Sequence, residues 1–241
     1  MPTVVAVMDR GSWESNTDNI VRVDSANKTL LWIPRDLWSD RIRHRVGRAF
    51  ALGGPSLLIE VLADHGIGAD HVLCLRREAT EAALADATVV VPVRRRLDFW
   101  YPLGPTLRLQ DGRKPISFRP PSETLNGERI HQWLGARTVA EPAPGTCARM
   151  SRVLARTRRI LFRQGPRLPD LARIERQKIF VRELLRAGFD FGRALANPEW
   201  VVCTHPAALE DLRAVRADWT FRTLDDVQPR TIDGMQVLVR T

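Results

Sequence analysis

Short apolar runs recur along the first part of the chain, each rich in β-branched side chains and bounded by Asn, Asp, Gly or Pro. Runs with these features predict β-strands. They lie at residues 4–8, 20–24, 29–33, 71–75 and 89–93. Helical patterns alternate with the strands, and this alternation predicts an α/β fold in α/β/α layers, with helices covering a central mixed sheet.

Apolar faces at helical spacing, together with start and stop residues, predict three longer helices. The clearest begins at Pro55, a residue favoured at the first helical position, and stops at Gly66. The second follows Asn126, which can cap it. The third is capped by Asp170 and ends at Gly188.

The remaining stretches give weaker patterns. Residues 92–121 contain several prolines and predict a long loop or an irregular hairpin. The tail, 200–241, predicts a strand, a helix from about Pro206 and a closing strand at 235–239. A chain of 241 residues can bury a substantial core, so we expect a single domain spanning 1–241.

The chain is strongly basic, with a formal net charge of +9. Nearly all of its cationic side chains are Arg, which binds phosphate through two parallel hydrogen bonds better than Lys does. For any single surface Arg, a solvated Arg-rich face is still the simpler interpretation. The cysteines, at positions 74, 147 and 203, have no metal-ligand spacing and predict no disulfide framework.

Two short stretches contain side chains suited to gripping phosphate, namely Ile-Pro-Arg-Asp at 33–36 and the segment 170–177. Two acidic residues, Asp9 and Asp18, precede the first stretch, and each stands where an apolar run begins or ends. Carboxylates at strand ends can share a metal ion. Between the two stretches, the basic segment 45–55 closes on a glycine pair and opens a helix.

Taken together, these segments resemble the LytR-CpsA-Psr family. The likeness runs in order through roughly residues 4–190 and includes Leu-Asn-Gly-Glu at 125–128. Members of that family transfer glycopolymers from a polyprenyl pyrophosphate carrier to the bacterial cell wall. The resemblance implies the family's α/β fold, bound Mg²⁺ and a polyprenyl pyrophosphate-linked glycan as the partner.

The resemblance also implies roles for the first set of polar residues. Asp9 and Asp18 would hold Mg²⁺, which usually takes only one or two protein carboxylates. Arg35 would be catalytic, because the end of a strand aims its guanidinium into a crevice at the sheet's edge. Asp36 would contribute to substrate binding by orienting Arg35. The alternatives are a turn cap for Asp18, a loop position for Asp9 and an ion pair between Arg35 and Asp36.

Further members of an arginine clamp lie along the rest of the chain. Arg45 stands where the family usually has Lys, and it would bind substrate. Family members often have two Arg in the middle motif, of which this chain keeps Arg137 as a catalytic residue and has Gly135 at the other position. Arg173 would reach the second phosphate as a catalytic residue, and Gln177 would bind the same group or fix a water of the metal.

Some of these residues also have simpler, purely structural interpretations. Arg173 could instead form a helix-surface salt bridge with a neighbouring carboxylate, and Arg176 is interpreted as such a surface residue. Trp13 and Trp38 could line an apolar groove for a polyprenyl chain, or they could simply pack in the core.

An inserted segment at about 138–168 lengthens a connection that is usually shorter in the family. Within it, residues 149–164 predict a basic amphipathic helix, which either makes peripheral contact with an anionic membrane or forms a solvated flap. No apolar run approaches the length of a bilayer span, and no signal peptide is visible. We expect a cytoplasmic protein or one peripheral at the membrane, although the resembled family is usually extracytoplasmic.

The leading hypothesis is an Mg²⁺-dependent phosphotransferase acting on a polyprenyl pyrophosphate-linked glycan, which either transfers a glycopolymer phosphate to an acceptor or hydrolyses the pyrophosphate. The alternative is a non-catalytic protein that binds lipid pyrophosphate with the same arginines, and Gly135 favours it. Nucleic-acid binding is suggested by charge alone. Because no helix-turn-helix, zinc or base-stacking signature supports it, we expect no nucleic-acid partner.

Overall fold

The computed structural model describes residues 2–9, 12–104, 112–139, 169–191, 195, 197–224 and 226–241. Contacts divide the chain into two compact units, Met1–Val89 with Lys178–Thr241 and Val90–Gln177, which are described separately. Apart from 138 and 139, the predicted insertion at 138–168 lies outside the described residues, and so does its basic helix at 149–164.

Strands and helices alternate along the chain as predicted. In chain order, the strands are β1 Thr3–Met8, β2 Thr17–Asp24, β3 Thr29–Ile33, β4 Trp38–Ser39, β5 His44–Arg45, β6 His71–Leu75, β7 Thr88–Pro92, β8 Leu97–Pro102, β9 Arg113–Phe118, β10 Ser122–Asn126, β11 Thr138–Val139, β12 Val201–Cys203, β13 Thr220–Thr223, β14 Val227–Ile232 and β15 Met235–Arg240. The helices are α1 Ala49–Ala63, α2 Arg77–Leu84, α3 Gly127–Gly135, α4 Pro169–Arg186 and α5 Ala207–Ala214.

The first unit is built on a six-stranded sheet with the order β12-β6-β1-β2-β3-β13. β1 pairs in parallel with β6 and antiparallel with β2, so the sheet is mixed, as predicted. Val4 and Ala6, on one face of β1, are wholly buried, and Val5, on the other face, is only 9% exposed. A strand buried on both faces explains why the sequence there is a continuous apolar run rather than an alternating one.

All five predicted strands form. β3 and β6 have the predicted bounds, and β1, β2 and β7 differ from theirs by at most three residues. The tail also contains the predicted strand β12, helix α5 and strand β15. β13 and β14 were not predicted, because half of their residues are exposed, more than half are polar, and they give no apolar alternation.

Helix α1 contacts β6 and buries Leu58, Val61 and Leu62 completely. By length and composition alone, Val46–Ala63 could cross a bilayer. Of this window, 39% is buried, and its buried side chains contribute to the core of the first unit.

A glycine pair interrupts α1. The backbone leaves the helical conformation at Gly53 and at Gly54, where φ is +66°. The chain resumes its helix at Pro55, the residue predicted to begin it, since proline suits the first helical position. The segment before this break is a short helical turn directly next to the basic stretch that begins at Arg45.

The second unit contains the antiparallel pair β8–β9, extended by β11 on the other side of β8. Leu97 pairs with Phe118 at one end and Pro102 with Arg113 at the other, so the proline-containing stretch forms a hairpin over its described residues. Aromatic side chains contribute to the core of this unit. Phe118 meets the ring of Trp133 in α3 edge-on, with 4.9 Å between ring centroids.

Helices α3 and α4 begin close to the predicted positions. α3 starts directly after Asn126, although the Asn126 side chain makes no capping hydrogen bond. α4 starts at Pro169, and the side chain of Asp170, its predicted cap, is outside the described ones. Gly188, with φ of +78°, follows the end of α4, as expected for a glycine past a helix C-terminus.

Candidate functional site

A β-bulge shapes the edge of the first sheet. Val7 of β1 pairs with Asn19 of β2, whereas the next residue, Met8, pairs with Thr17. Asp18 is therefore an extra residue in β2. Bulges of this kind change the direction of a side chain and are common beside functional sites.

Asp9 lies directly after β1, close to the same bulge. Its backbone N–H donates to the carbonyl of Asn16 at 2.8 Å. The Oδ1 atom of Asp9 is buried and has no hydrogen-bond partner among the described residues. A buried carboxylate oxygen without a donor is costly, and a bound cation would satisfy it.

Arg35 and Asp18 form an ion pair between neighbouring strands. Nη1 of Arg35 lies 2.6 Å from Oδ1 of Asp18, and the two side chains keep 19% and 28% of their surface exposed. Arg35 follows β3, which pairs antiparallel with β2, so the strands place it beside the bulge. Asp18 lies inside β2, and its carboxylate also accepts a hydrogen bond from the side-chain amide of Asn19 at 3.3 Å.

Gly47 allows a short helical turn to approach Arg35 closely. Its N–H donates to the carbonyl of Arg35 at 2.9 Å. A Cβ atom at this position would lie 3.2 Å from both the Cβ and the carbonyl oxygen of Arg35, and 3.1 Å from the carbonyl oxygen of Thr17. Close packing therefore favours glycine here, a role that sequence reasoning missed.

Asp36 and Arg45 are tied to the C-terminal hairpin β14–β15. Nη1 of Arg45 lies 3.2 Å from Oδ1 of Asp36, and Nη2 donates to the carbonyl of Gln236 at 2.9 Å. The N–H of Leu238 donates to the carbonyl of Asp36 at 2.9 Å. The hairpin thus holds the strand end that carries Arg35, and Arg45 contributes to this attachment.

His44 lies in positively charged surroundings at the same end of the sheet. Burial, followed by the charges of Arg48 and Arg45, lowers the pKa of His44. The Nδ1 atom of His44 accepts a hydrogen bond from the backbone N–H of Arg45 at 2.8 Å, which requires that nitrogen to be unprotonated. A local excess of positive charge favours an anionic ligand.

In the second unit, the predicted clamp residues on α4 are buried rather than on the surface. Arg173 keeps 2% of its surface exposed and Gln177 keeps 3%. Nε2 of Gln177 donates to the carbonyl of Leu134 at 3.3 Å. The surface interpretation of Arg173 is therefore wrong, while its predicted contact with phosphate stays a prediction.

Arg176 is also buried, so its interpretation as a surface salt-bridge residue is wrong. Its Nε donates to the carbonyl of Trp133 at 3.0 Å, and Nη2 donates to the carbonyl of Ala136. The indole N–H of Trp133 donates in return to the carbonyl of Arg176 at 3.0 Å. The guanidinium thereby satisfies carbonyls at the C-terminus of α3, which no helical N–H can reach.

The last turn of α3 carries the position where the resembled family has an additional Arg. Here Gly135 is exposed, and a Cβ atom built on it would meet nothing within 4 Å. Arg137 follows just after the helix and is half-buried. The backbone around Gly135 therefore has room for a longer side chain.

The two predicted groove tryptophans differ. Trp38 is 5% exposed, and its indole N–H donates to Asp40 at 2.8 Å, so it packs in the core. Trp13 is partly exposed, lies 5.9 Å from the ring of Phe50 and has the Arg76 guanidinium 6.0 Å from its ring centroid. Of the two, only Trp13 is partly exposed.

The donor set in the first unit fits a hard divalent cation. Among the described residues, no group of three His, Cys, Asp or Glu side chains is placed to hold a metal. Two carboxylates suffice for Mg²⁺, since it keeps several waters and takes further oxygens from phosphate. The Asp9 oxygen that lacks a hydrogen-bond donor and the carboxylate of Asp18 would be these two ligands.

Comparison with known proteins gives matches by structure alone. No protein-family model matches the chain, and no curated protein does. Protein gbs0355 from Streptococcus agalactiae aligns with 15% identity and a TM-score of 0.64, covering 100% of this chain and 82% of that one. TagT bound to LI-WTA aligns with 13% identity and a TM-score of 0.60, covering 100% and 84%.

TagV from Bacillus subtilis aligns similarly, with 15% identity and a TM-score of 0.59, covering 100% of this chain and 91% of that one. TagT and TagV are LytR-CpsA-Psr proteins, so the chain has the α/β fold of that family. The resemblance drawn from the motifs is thereby confirmed at the level of the fold.

Proposed function

We propose that this chain is an Mg²⁺-dependent phosphotransferase that acts on a polyprenyl pyrophosphate-linked glycan. It transfers a glycopolymer phosphate to an acceptor hydroxyl, or to water when no acceptor is present. The observation that carries the proposal is the ion pair between Arg35 and Asp18 at the β-bulge. Close to the same bulge, Asp9 has a buried carboxylate oxygen that accepts no hydrogen bond among the described residues.

The fold supports this class of reaction. The structural neighbours TagT and TagV are LytR-CpsA-Psr enzymes, and TagT has been solved with a lipid-linked wall teichoic acid. In the resemblance drawn from the sequence, the aspartates and Arg35 of this chain correspond to residues of the same types in that family. A polyprenyl-linked glycan is accordingly the proposed partner.

Asp9 and Asp18 are the residues that would hold Mg²⁺. When bound, Mg²⁺ neutralises charge on the pyrophosphate oxygens and orients the transferred phosphoryl group. Arg35 binds an oxygen of the transferred phosphate through a charge-assisted hydrogen bond. Asp36 and Arg45 position Arg35 by fixing the strand end to the hairpin β14–β15.

The proposed transfer is a simple displacement at phosphorus. The acceptor oxygen forms a bond to the phosphorus that carries the glycan, and the bond from this phosphorus to the bridging oxygen breaks. The bridging oxygen leaves with its electron pair as part of polyprenyl monophosphate, and the acceptor proton passes to solvent. Arg35 stabilises the negative charge that develops on the phosphoryl oxygens.

The experiment measures release of polyprenyl monophosphate from a polyprenyl pyrophosphate-linked glycan, with and without Mg²⁺. We expect metal-dependent turnover, and Arg35→Ala and Asp18→Ala should each lower it by about a hundredfold or more. Arg22→Ala is the matched control, because Arg22 also pairs with an aspartate, Asp24 at 3.2 Å, from the same strand β2. Undiminished turnover in the two site variants would refute the proposal.

A second candidate function is binding of a lipid pyrophosphate without turnover. The glycine at position 135, where the resembled family has an Arg, favours it. Losing one guanidinium from a phosphate clamp costs on the order of a hundredfold in rate. Tight lipid binding that depends on Arg35, with no product released, would establish this function instead.

A further inference from the structure

An exposed basic tip lies at one end of the second unit. It consists of two turns, residues 94–96 between β7 and β8 and residues 119–121 between β9 and β10. All six residues are exposed. These six residues are called the basic tip below.

The strand pairing brings the two turns together. Leu97 pairs with Phe118 in the last pair of the β8–β9 ladder, so Arg96 and Arg119 stand side by side just beyond it. The N–H of Val93 donates to the carbonyl of Pro121 at 2.9 Å, which joins the first turn to the second. The arginines of the tip therefore belong to one surface although they come from two segments.

The basic tip carries more positive charge than its neighbouring carboxylates neutralise. Asp98 pairs with Arg96 at 2.9 Å. A hydrogen bond from Ser117, together with the charges of Arg96 and Arg119, lowers the pKa of Asp98, which keeps it ionised. Within the described ranges, the guanidinium groups of Arg94, Arg95 and Arg119 form no ion pair.

The second carboxylate near the tip, that of Glu123, pairs with an arginine outside the tip. Glu123 pairs with Arg129 at 3.2 Å and accepts a hydrogen bond from the backbone N–H of Arg119 at 2.7 Å. It thus fixes the backbone of the second turn and leaves the Arg119 side chain to solvent. Four arginines with one carboxylate between them make a compact cationic surface.

The exposure and side chains of the tip indicate which kind of partner it can bind. The six residues of the tip, three from each turn, are all exposed, so they form an open surface rather than a pocket for a small anion. The tip has no aromatic side chain on which a base could stack and no helix that could enter a groove. A flat anionic surface satisfies several guanidinium groups at once.

We propose that the basic tip is a contact surface for the anionic headgroups of a lipid bilayer. The inference stands on the charge and shape of the tip and does not rest on the proposed reaction. If both hold, the contact brings the enzyme to the membrane that contains a polyprenyl-linked substrate.

The test is sedimentation of the full chain with vesicles of phosphatidylcholine, with or without phosphatidylglycerol. The tip variant is Arg94→Gln, Arg95→Gln and Arg119→Gln combined. The matched control is Lys28→Gln, Arg222→Gln and Arg230→Gln combined, which removes three exposed cationic side chains of the first unit and gives the same net charge. Both variants have the same net charge and keep the arginines at 149–164. A difference in vesicle binding between them therefore does not come from those arginines.

We expect binding to anionic vesicles only, weakened by salt because screening shortens the range of exposed charges. Each basic residue near an anionic membrane strengthens binding roughly fivefold, so the tip variant should lose about a hundredfold in partition. The control variant should lose much less. All substituted side chains are exposed, so equal thermal melting of the three proteins verifies that folding is unaffected.

Two results would overturn the inference. The first is equal loss of vesicle binding in the tip variant and the control, which would mean that only net charge matters. The second is vesicle binding unchanged in the tip variant while its binding to a DNA duplex falls, which would make nucleic acid the partner. Turnover of a detergent-solubilised substrate should be the same in the tip variant as in the unmodified chain, and this separates the tip from the proposed reaction.

Discussion

The guanidinium of Arg35 and the carboxylate of Asp18 bind each other at 2.6 Å, although the proposed reaction requires each of them for a different ligand. Arg35 is needed for phosphate, and Asp18 for Mg²⁺. Both side chains are partly exposed, so an incoming anion and cation can exchange with the ion pair. Because releasing one partner frees the other, pyrophosphate and Mg²⁺ should bind with positive coupling.

Asp18→Asn tests this exchange. The variant should bind pyrophosphate without metal about fivefold more tightly, since a partly exposed ion pair of about 1 kcal/mol no longer competes for Arg35. Added Mg²⁺ should no longer strengthen its binding. Isothermal titration calorimetry measures both affinities, with Asp24→Asn as the control for removing a negative charge from β2. Pyrophosphate binding that gains from Mg²⁺ equally in Asp18→Asn and the unmodified chain would refute the exchange.

Gly47→Ala tests the packing beside Arg35. The new Cβ would press on two carbonyl oxygens and on the Cβ of Arg35 at 3.1 to 3.2 Å, so the strand end or the short helical turn must shift. We expect a loss of about 1–3 kcal/mol in the free energy of unfolding, and weaker binding of pyrophosphate because Arg35 moves.

The matched control for this prediction is Gly68→Ala, because a Cβ at Gly68 would meet nothing within 4 Å. Urea unfolding and calorimetry of both variants provide the comparison. If Gly47→Ala matched Gly68→Ala in both stability and pyrophosphate affinity, the close contact would have no role in positioning Arg35.

The local signals of the sequence located most of the first unit. Continuous β-branched runs predict buried strands, and for that reason β3 and β6 have the predicted bounds. The motif around Arg35 marks the correct strand end. The attachment of Asp36 to Leu238 could not be predicted, since it joins residues from opposite ends of the chain and β14, the first strand of that hairpin, has no apolar alternation.

The contacts of Arg176 in the second unit likewise could not be predicted from the sequence. A helical wheel separates Arg176 from Arg173 and Gln177, and that separation suggested a solvated side chain. The partners that bury it, Trp133 and Ala136, lie 43 and 40 positions away in the sequence. Contacts between residues so far apart in the sequence leave no local pattern. Arg173 and Gln177 were identified because they belong to the motif at 170–177.

Arg176→Met tests the capping of α3. The substitution keeps much of the side-chain volume but leaves buried carbonyls of Trp133 and Ala136 without a donor, which should cost about 2–3 kcal/mol. Burial, and then the charge of Arg173, already lowers the pKa of Arg176 to about 10, so its hydrogen bonds offset a substantial desolvation cost. Hydrogen exchange of residues 127–136 should accelerate.

The control for this prediction is Arg186→Met, because Arg186 is exposed on the same helix and pairs only at the surface, with Glu183 at 2.7 Å. It should change the free energy of unfolding by less than about 0.5 kcal/mol. Equal protection of residues 127–136 in both variants would show that the guanidinium of Arg176 does not hold the end of α3.

Acid should destabilise the first unit through two histidines. Burial and the charges of Arg48 and Arg45 lower the pKa of His44, and burial and the charge of Arg240 lower the pKa of His65. The unfolded chain therefore binds more protons than the folded chain once the pH falls towards the ordinary value of 6.5. The free energy of unfolding should decrease progressively as the pH falls from about 7.5 to about 5.

The measurement is chemical unfolding across that pH range for the unmodified chain and for His44→Gln combined with His65→Gln. The double variant should lose much of the slope. His205→Gln should keep it, because His205 is exposed. An unchanged slope in the double variant would assign the acid sensitivity to other groups.

Gly135→Arg tests whether the chain lacks one guanidinium of a phosphate clamp. Gly135 occupies the last position of α3, and the space beyond a Cβ there is open, so an Arg can be accommodated. It should also stabilise the helix slightly, since glycine costs about 1 kcal/mol relative to other residues in a helix. If Arg137 and the other predicted residues bind pyrophosphate, the added cation should raise turnover or affinity tenfold or more.

Gly135→Ala separates the helix effect from the charge effect, because it adds helix propensity without a guanidinium. A gain in Gly135→Arg that Gly135→Ala lacks would mean that the native chain has a weakened clamp, which matches a binding protein or a slow enzyme. Equal behaviour of the two variants in turnover and pyrophosphate affinity would mean that position 135 is remote from the phosphate, and the proposed role of Arg137 would lose its support.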